Sequence, residues 1–247
     1  MQKILFILIT TVFINLLSAQ NSYGVIEYDR TTYWIEIMEE LPWMTQEDID
    51  RDRMTWGKRE GWTQKYNLYF NPEEVIYSYG EQENEYGYSR KQSNFVLIND
   101  LQNNTTRDWI ELLGKDYKIY DDASKYKWKI LNEIKEVAGY LCMKAETQDT
   151  LKDHVIHAWF ATDIPVSGGP EGYYGLPGMI LELNMNDGSV IITASKVNLE
   201  PTEEESFQLP KKMKGKKISR VEYNQKISNY IEQCIEGHRN PYWRVRY

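Results

Sequence analysis

The stretch Met179-Ile180-Leu181-Glu182-Leu183-Asn184-Met185, Asn186-Asp187-Gly188, Ser189-Val190-Ile191-Ile192-Thr193-Ala194-Ser195-Lys196-Val197 holds two runs of strand-forming residues around a turn tripeptide. Asn, Asp and Gly tolerate the positive φ that a tight reversal needs, and alternate residues of a strand face opposite sides. This is the strongest hairpin signal in the chain. Working outward, Ala138 to Thr147 and His154 to Thr162 read as strands before it, as do Asn94 to Ile98, Asp116 to Tyr120 and Lys127 to Ile134. Trp62 to Phe70 and Val75 to Tyr79 flank the turn Asn71-Pro72-Glu73-Glu74, and Gly24 to Ile37 alternates imperfectly with strand composition. Two segments differ. Thr45 to Arg53 begins with Thr45 and Asp48 spaced as in a capping box, which predicts a short helix. Val221, Tyr223, Ile227, Tyr230, Ile231, Cys234 and Ile235 recur at three- and four-residue steps, which predicts an amphipathic helix over about 219–236, ended by Gly237. Many short strands with little helix before the C-terminal one make a mainly β protein built on an antiparallel sheet.

The chain has 247 residues, a formal charge of −8, 8 Trp, 19 Tyr, 6 Phe and 2 Cys. Its first residues carry Lys3 as the only charge, an apolar run from Ile4 to Leu17, and Ser18-Ala19-Gln20. That pattern reads as a signal peptide over residues 1–19, leaving residues 20–247 as a single β-rich domain with no further membrane-length segment. A periplasmic or secreted protein is expected. The acidic balance opposes nucleic-acid binding, and the run Lys211 to Arg220 reads as a solvated basic loop facing Glu203 to Glu205. Export gives Cys142 and Cys234 two readings, a disulfide tying the last helix to the sheet or two buried thiols.

Catalytic signatures are absent: no P-loop, nucleophile elbow, His-Glu-x-x-His or Cys-x-x-Cys occurs. His154 and His157, three apart on one strand, point to opposite faces and are not expected to share a metal. No cofactor is implied. The aromatic excess supports either a tyrosine-rich core or a binding platform, with Val75, Tyr77 and Tyr79 on one face.

The most distinctive composition lies just upstream of the hairpin. Trp159-Phe160-Ala161-Thr162-Asp163-Ile164-Pro165 leads into Gly168-Gly169-Pro170 and then Tyr173-Tyr174-Gly175-Leu176-Pro177-Gly178-Met179-Ile180. Glycine and proline at this density make a strand–loop–strand with sharp turns, either a rigid loop folded on the sheet or a ligand-contacting one. This segment resembles the GLPGLI family, with Met179 in place of the second Leu. Lys127-Trp128-Lys129-Ile130 and Ala138-Gly139-Tyr140-Leu141-Cys142-Met143-Lys144-Ala145 are similar to the family's upstream strands. The resemblance implies an exported protein of the Bacteroidota group with no settled activity, and a fold similar to the bowl-shaped β module preceding the catalytic part of some bacterial peptide-N-glycanases. It therefore implies one curved antiparallel sheet, a bowl or half-barrel. Asp149-Thr150-Leu151 is similar to the O-glycosylation site of those bacteria, with Thr150 as acceptor.

Two functional readings follow. One is a non-catalytic binding or accessory module of the cell envelope, with Trp128, Trp159, Gly169, Pro170, Tyr174, Gly175, Leu176, Pro177 and Gly178 lining a concave face. Its partner would be a glycan, a peptide or an outer-membrane protein. The other is a hydrolase of glycan or peptide polymers, with two carboxylates in one pocket. An envelope assembly or structural protein is a third.

Overall fold

The structure is a computed structural model, and residues 23–56, 61–80, 95–123, 126–202 and 213–247 are described. The signal-peptide segment and the acids Glu203 to Glu205 lie outside the described residues. The strands are β1 (Gly24–Thr32), β2 (Trp62–Phe70), β3 (Glu74–Tyr79), β4 (Phe95–Asp100), β5 (Thr105–Leu112) and β6 (Lys115–Asp122). They continue as β7 (Lys129–Val137), β8 (Tyr140–Asp149), β9 (His154–Ala161), β10 (Met179–Met185), β11 (Val190–Asn198) and β12 (Lys216–Ile218). The helices are α1 (Trp34–Glu39), α2 (Gln46–Trp56) and α3 (Arg220–Glu236).

All twelve strands form one open sheet in the order β12-β6-β5-β4-β3-β2-β1-β11-β10-β9-β8-β7. Neighbours run antiparallel, except that β12 lies parallel to β6. The β10–β11 hairpin pairs Met185 with Val190 across the expected turn, where Asn186, Asp187 and Gly188 all take positive φ. Alternation assigns the faces. On β1, Ile26, Tyr28 and Arg30 are buried while their neighbours are not, and on β2 Tyr66, Leu68 and Phe70 face the same side. The sheet curves, so that Tyr77, Leu97 and Ile110 of one half and the β8–β9 turn of the other line a single concavity. The mainly β architecture and the C-terminal helix agree with the sequence reading.

Three local expectations are revised. The strand read as Gly24 to Ile37 ends at Thr32, and Trp34, Ile37 and Leu41 then follow a helical period, with Ile37 and Leu41 buried. β5 escaped the sequence reading because its inward positions are Asp108, Ile110 and Leu112, and the carboxylate breaks the apolar alternation. The three-residue β12 carries two lysines and gives no apolar signal.

Of the two readings of the cysteines, the disulfide is not formed. Cys142 on β8 and Cys234 on α3 are separate buried free thiols, and burial pushes the Cys142 thiol up to about 11. Each behaves as a small core hydrophobe. Alkylation with iodoacetamide, without reductant, is therefore expected to add two adducts to the protein in denaturant and none to the folded form. A denatured mass lacking both adducts would mean that the thiols are joined.

Candidate functional site

The concavity has a volume of about 940 Å³ and is lined from β3–β5, the 126–129 segment, the β8–β9 turn, the 168–174 loop, α3 and the 244–247 segment. Two ion pairs sit in its wall. Asp108 of β5 is buried and meets Arg220 at the first turn of α3, while its Oδ1 accepts the backbone N–H of Ile98 at 3.3 Å. Burial raises the Asp108 pKa, and Arg220 and the Ile98 N–H offset it only in part. The pair fixes the start of α3 against the sheet. Ser219 caps that helix by accepting the N–H of Glu222 at 3.1 Å.

The second pair belongs to the glycine-rich loop. Glu171 sits between Pro170 and Gly172 with φ 56°, a left-handed conformation disfavoured for a non-glycine residue. Arg246 grips it with both nitrogens of its fork, Nε donating to Oε2 at 2.9 Å and Nη2 to Oε1. Arg30 of β1 brings its Nε to 3.4 Å from Oε1. Burial alone would raise the Glu171 pKa, but Arg246, Arg30 and Lys152 outweigh it and hold the carboxyl below its usual range. The Arg246 guanidinium also lies 4.1 Å from the centroid of Phe95 and 5.1 Å from that of Tyr66. Those rings belong to a stacked group with Tyr77 and Tyr79, Tyr66 to Tyr79 being 5.0 Å and Tyr66 to Tyr77 5.5 Å. Removing one partner of so buried a pair costs about 3–5 kcal/mol, because the other charge is left unpaired.

The sequence-derived site residues separate into three groups. Gly169 and Tyr174 line the concavity. Trp128 stands beside it, donating from Nε1 to the carbonyl of Tyr174 at 2.8 Å and packing on Tyr126 and Tyr173. Trp159 does not share their face: it pairs across the sheet with Lys144 and Glu182, under the Lys135 ammonium at 4.4 Å. Its chain neighbours Ala158 and Phe160 take the buried side.

The remaining motif residues do not line the concavity. Pro170 and Leu176 are buried, Pro177 is exposed, and Gly175 takes φ +98° beneath Trp128. A side chain on Gly178 would overlap the carbonyl of Ala161, so the loop returns to β10 only because this residue has no Cβ. Thr150 is exposed on the β8–β9 turn, which Asp149 closes by accepting the N–H of Leu151 at 2.9 Å.

His154 and His157 do face opposite ways. His157 meets Glu146 at 3.2 Å, while His154 is buried and stacked on Tyr247 at 4.2 Å. Among the described residues no group of three or more His, Cys, Asp or Glu could hold a metal. Sequence reasoning placed Tyr77 on a core or binding face but missed Arg30, Asp108, Lys152, Glu171, Arg220 and Arg246. Two signals were present: Glu171 is the single charge in Gly168-Gly169-Pro170-Glu171-Gly172, and the Pro241–Tyr247 segment supplies Arg244 and Arg246 among aromatics.

An open, strongly curved antiparallel sheet around an aromatic and ionic concavity defines the class of protein. A family described as "Protein of unknown function (Porph_ging)" matches residues 146–182, the segment from the end of β8 through the glycine-rich loop into β10. Two crystal structures of PNGF-II, in space groups P21 and C2, are similar in fold, with TM-scores of 0.54 and 0.53 at 17% identity. They cover 83% and 82% of this chain, and the chain spans 32% of their length. No curated protein matches the sequence.

Two outcomes follow from this geometry. Gly178→Ala is expected to lower stability by more than about 2 kcal/mol, because backbone rather than a flexible side chain must move; chemical denaturation measures it. Burial drops the His154 pKa from 6.5 to about 4, so the folded state binds fewer protons than the unfolded one in that interval. Stability from this group is complete above pH 6.5 and is lost as pH falls toward 4, by up to about 3 kcal/mol. His154→Phe, which keeps the ring against Tyr247, is expected to flatten that part of the stability profile.

Proposed function

We propose that this chain is an exported GLPGLI-type protein that acts as a non-catalytic binding or accessory module of the cell envelope, taking its ligand in the concavity. The observation that carries the reading is the composition of the 940 Å³ wall, where tyrosines 77, 126, 173, 174 and 223 alternate with charged side chains. Ligand sites of this size combine apolar and aromatic surface with a few placed polar groups. Tyrosine offers a flat apolar face and a hydrogen-bonding tip, suited to sugar rings and to peptides. The likeness in fold to PNGF-II and the match to a family of unknown function are consistent with an accessory role. The signal peptide over residues 1–19 and a periplasmic or secreted location belong to this proposal, as does glycosylation at the exposed Thr150.

A hydrolytic reading has one observation in its favour, since Asp108 with its raised pKa and Glu171 with its lowered one line the same concavity. Both carboxylates, however, have their oxygens occupied by arginines or backbone N–H. Neither is placed to exchange a proton with a substrate.

The test is thermal unfolding of the mature protein with neutral oligosaccharides, acidic oligosaccharides and short peptides. Binding to the native state at a hundredfold excess over Kd is expected to raise Tm by roughly 5 °C. Asn224→Trp, on the face of α3 that lines the concavity, is expected to abolish the rise without altering the free protein. A ligand-induced rise that persists in Asn224→Trp places binding elsewhere, and release of cleaved product identifies a hydrolase instead.

A further inference from the structure

The polar groups at one end of the concavity do not balance one another. Arg30 and Arg246 pair with Glu171, Lys152 pairs with Asp149, and among the described residues no further carboxylate pairs with these three cations. Three cations therefore face two carboxylates in a buried setting. The donors are also unevenly used. Arg246 donates to Glu171 from Nε and Nη2, but Arg30 Nε makes no hydrogen bond among the described residues. Lys152 has its side chain about 14% exposed, and its ammonium meets a single carboxylate, Asp149 Oδ2, at 3.7 Å, too far for a hydrogen bond.

Tyr77 adds an independent observation. It is 1% exposed, lines the concavity, and its hydroxyl has no hydrogen-bond partner among the described residues. A buried hydroxyl without a partner costs on the order of 1–3 kcal/mol. Such a group in a cavity wall, beside surplus positive charge, marks a place where an acceptor is to be supplied from outside. Tyr77 and Lys152 both line the concavity, as do Glu171 and Arg246, so their donors face the same space as that ion pair.

We propose that this end of the concavity is an anion subsite for the carboxylate of an acidic sugar, which accepts hydrogen bonds from Lys152 Nζ and the Tyr77 hydroxyl and offsets the surplus cation. The proposal rests on the binding reading given above and names the ligand class of that same site. One negative charge matches the surplus. The rest of the wall carries Tyr126, Tyr173 and Tyr174, with ring centroids 4.8 and 5.4 Å from Tyr126, a surface on which a sugar ring stacks. The Tyr174 hydroxyl is likewise buried without a partner among the described residues, placing a further donor on that wall.

Calorimetric titration with two matched pairs tests it: sialyllactose against lactose, and digalacturonate against its dimethyl ester. The acidic member of at least one pair is expected to bind at least tenfold tighter than its neutral partner. Lys152→Gln and Tyr77→Phe are each expected to remove most of that difference, with the larger loss falling on the acidic member of the pair. Tyr77→Phe is isosteric and deletes only a hydroxyl without a partner, so the free variant keeps or gains thermal stability and loss of binding cannot be ascribed to misfolding. Equal binding of acidic and neutral sugars overturns the anion subsite and leaves concave-face binding standing. Binding of the acidic tripeptide Glu-Ala-Glu with none of either saccharide pair overturns the sugar assignment. Absence of binding by every probe overturns the subsite and, with no Tm rise in the wider screen, the binding reading too.

Discussion

The ion pair between Glu171 and Arg246 is the constraint on which the rest of the arrangement depends. It joins three parts of the chain far apart in sequence: the glycine-rich loop, the Pro241–Tyr247 segment and, through Arg30, the centre of the sheet. A charge buried this deeply is tolerated only when paired, so each part requires the others to be in place. The aromatic group of Tyr66, Tyr77, Tyr79 and Phe95 is the medium in which this happens, with Arg246 laid across two of its rings. Part of the tyrosine excess in the composition is thus core. Tyr28, Tyr66 and Tyr77 are almost fully buried, and the Tyr28 hydroxyl donates to the carbonyl of Ile180 at 2.6 Å.

The glycine-rich motif works on the same arrangement from the other side. Gly178 allows the loop to pass against the backbone of Ala161, and Gly175 turns it under Trp128. Leu176 anchors it in the core. These residues set the loop's path, while the loop's polar contribution comes from Glu171, between them and the sheet. The most recognisable residues of the segment are therefore its scaffold, and the residue that shapes the cavity is one the motif does not name. Asp108 and Arg220 repeat the device in the wall of the same concavity, locking α3 to β5 through a second buried pair.

Much of the fold was legible in the sequence because strands and amphipathic helices carry periods. Ten of the twelve strands and α3 lie where alternation or three- and four-residue spacing puts them. The exceptions have specific causes. β5 carries Asp108 at an inward position, and β12 is three residues long with two lysines. In α1 the helical period of Trp34 and Ile37 is hidden behind β-branched neighbours. The candidate site was legible only in part: Gly169 and Tyr174 reach the cavity wall, whereas Trp159 fell on the opposite face by the parity of its strand.

The sequence by itself determined the class of fold, the hairpin at Asn186 to Gly188 and the sharp turns of the 168–178 loop, because each is written in local spacing and in the conformational limits of glycine, proline and asparagine. Tertiary structure alone decided that Cys142 and Cys234 remain apart as thiols, that Arg246 reaches Glu171 across 75 residues of chain, and that Arg30 meets the same carboxylate. The physical reason is that a charge in a β protein has no sequence period of its own. Its partner is set by sheet curvature and strand order, which bring distant residues together only when the whole sheet has formed.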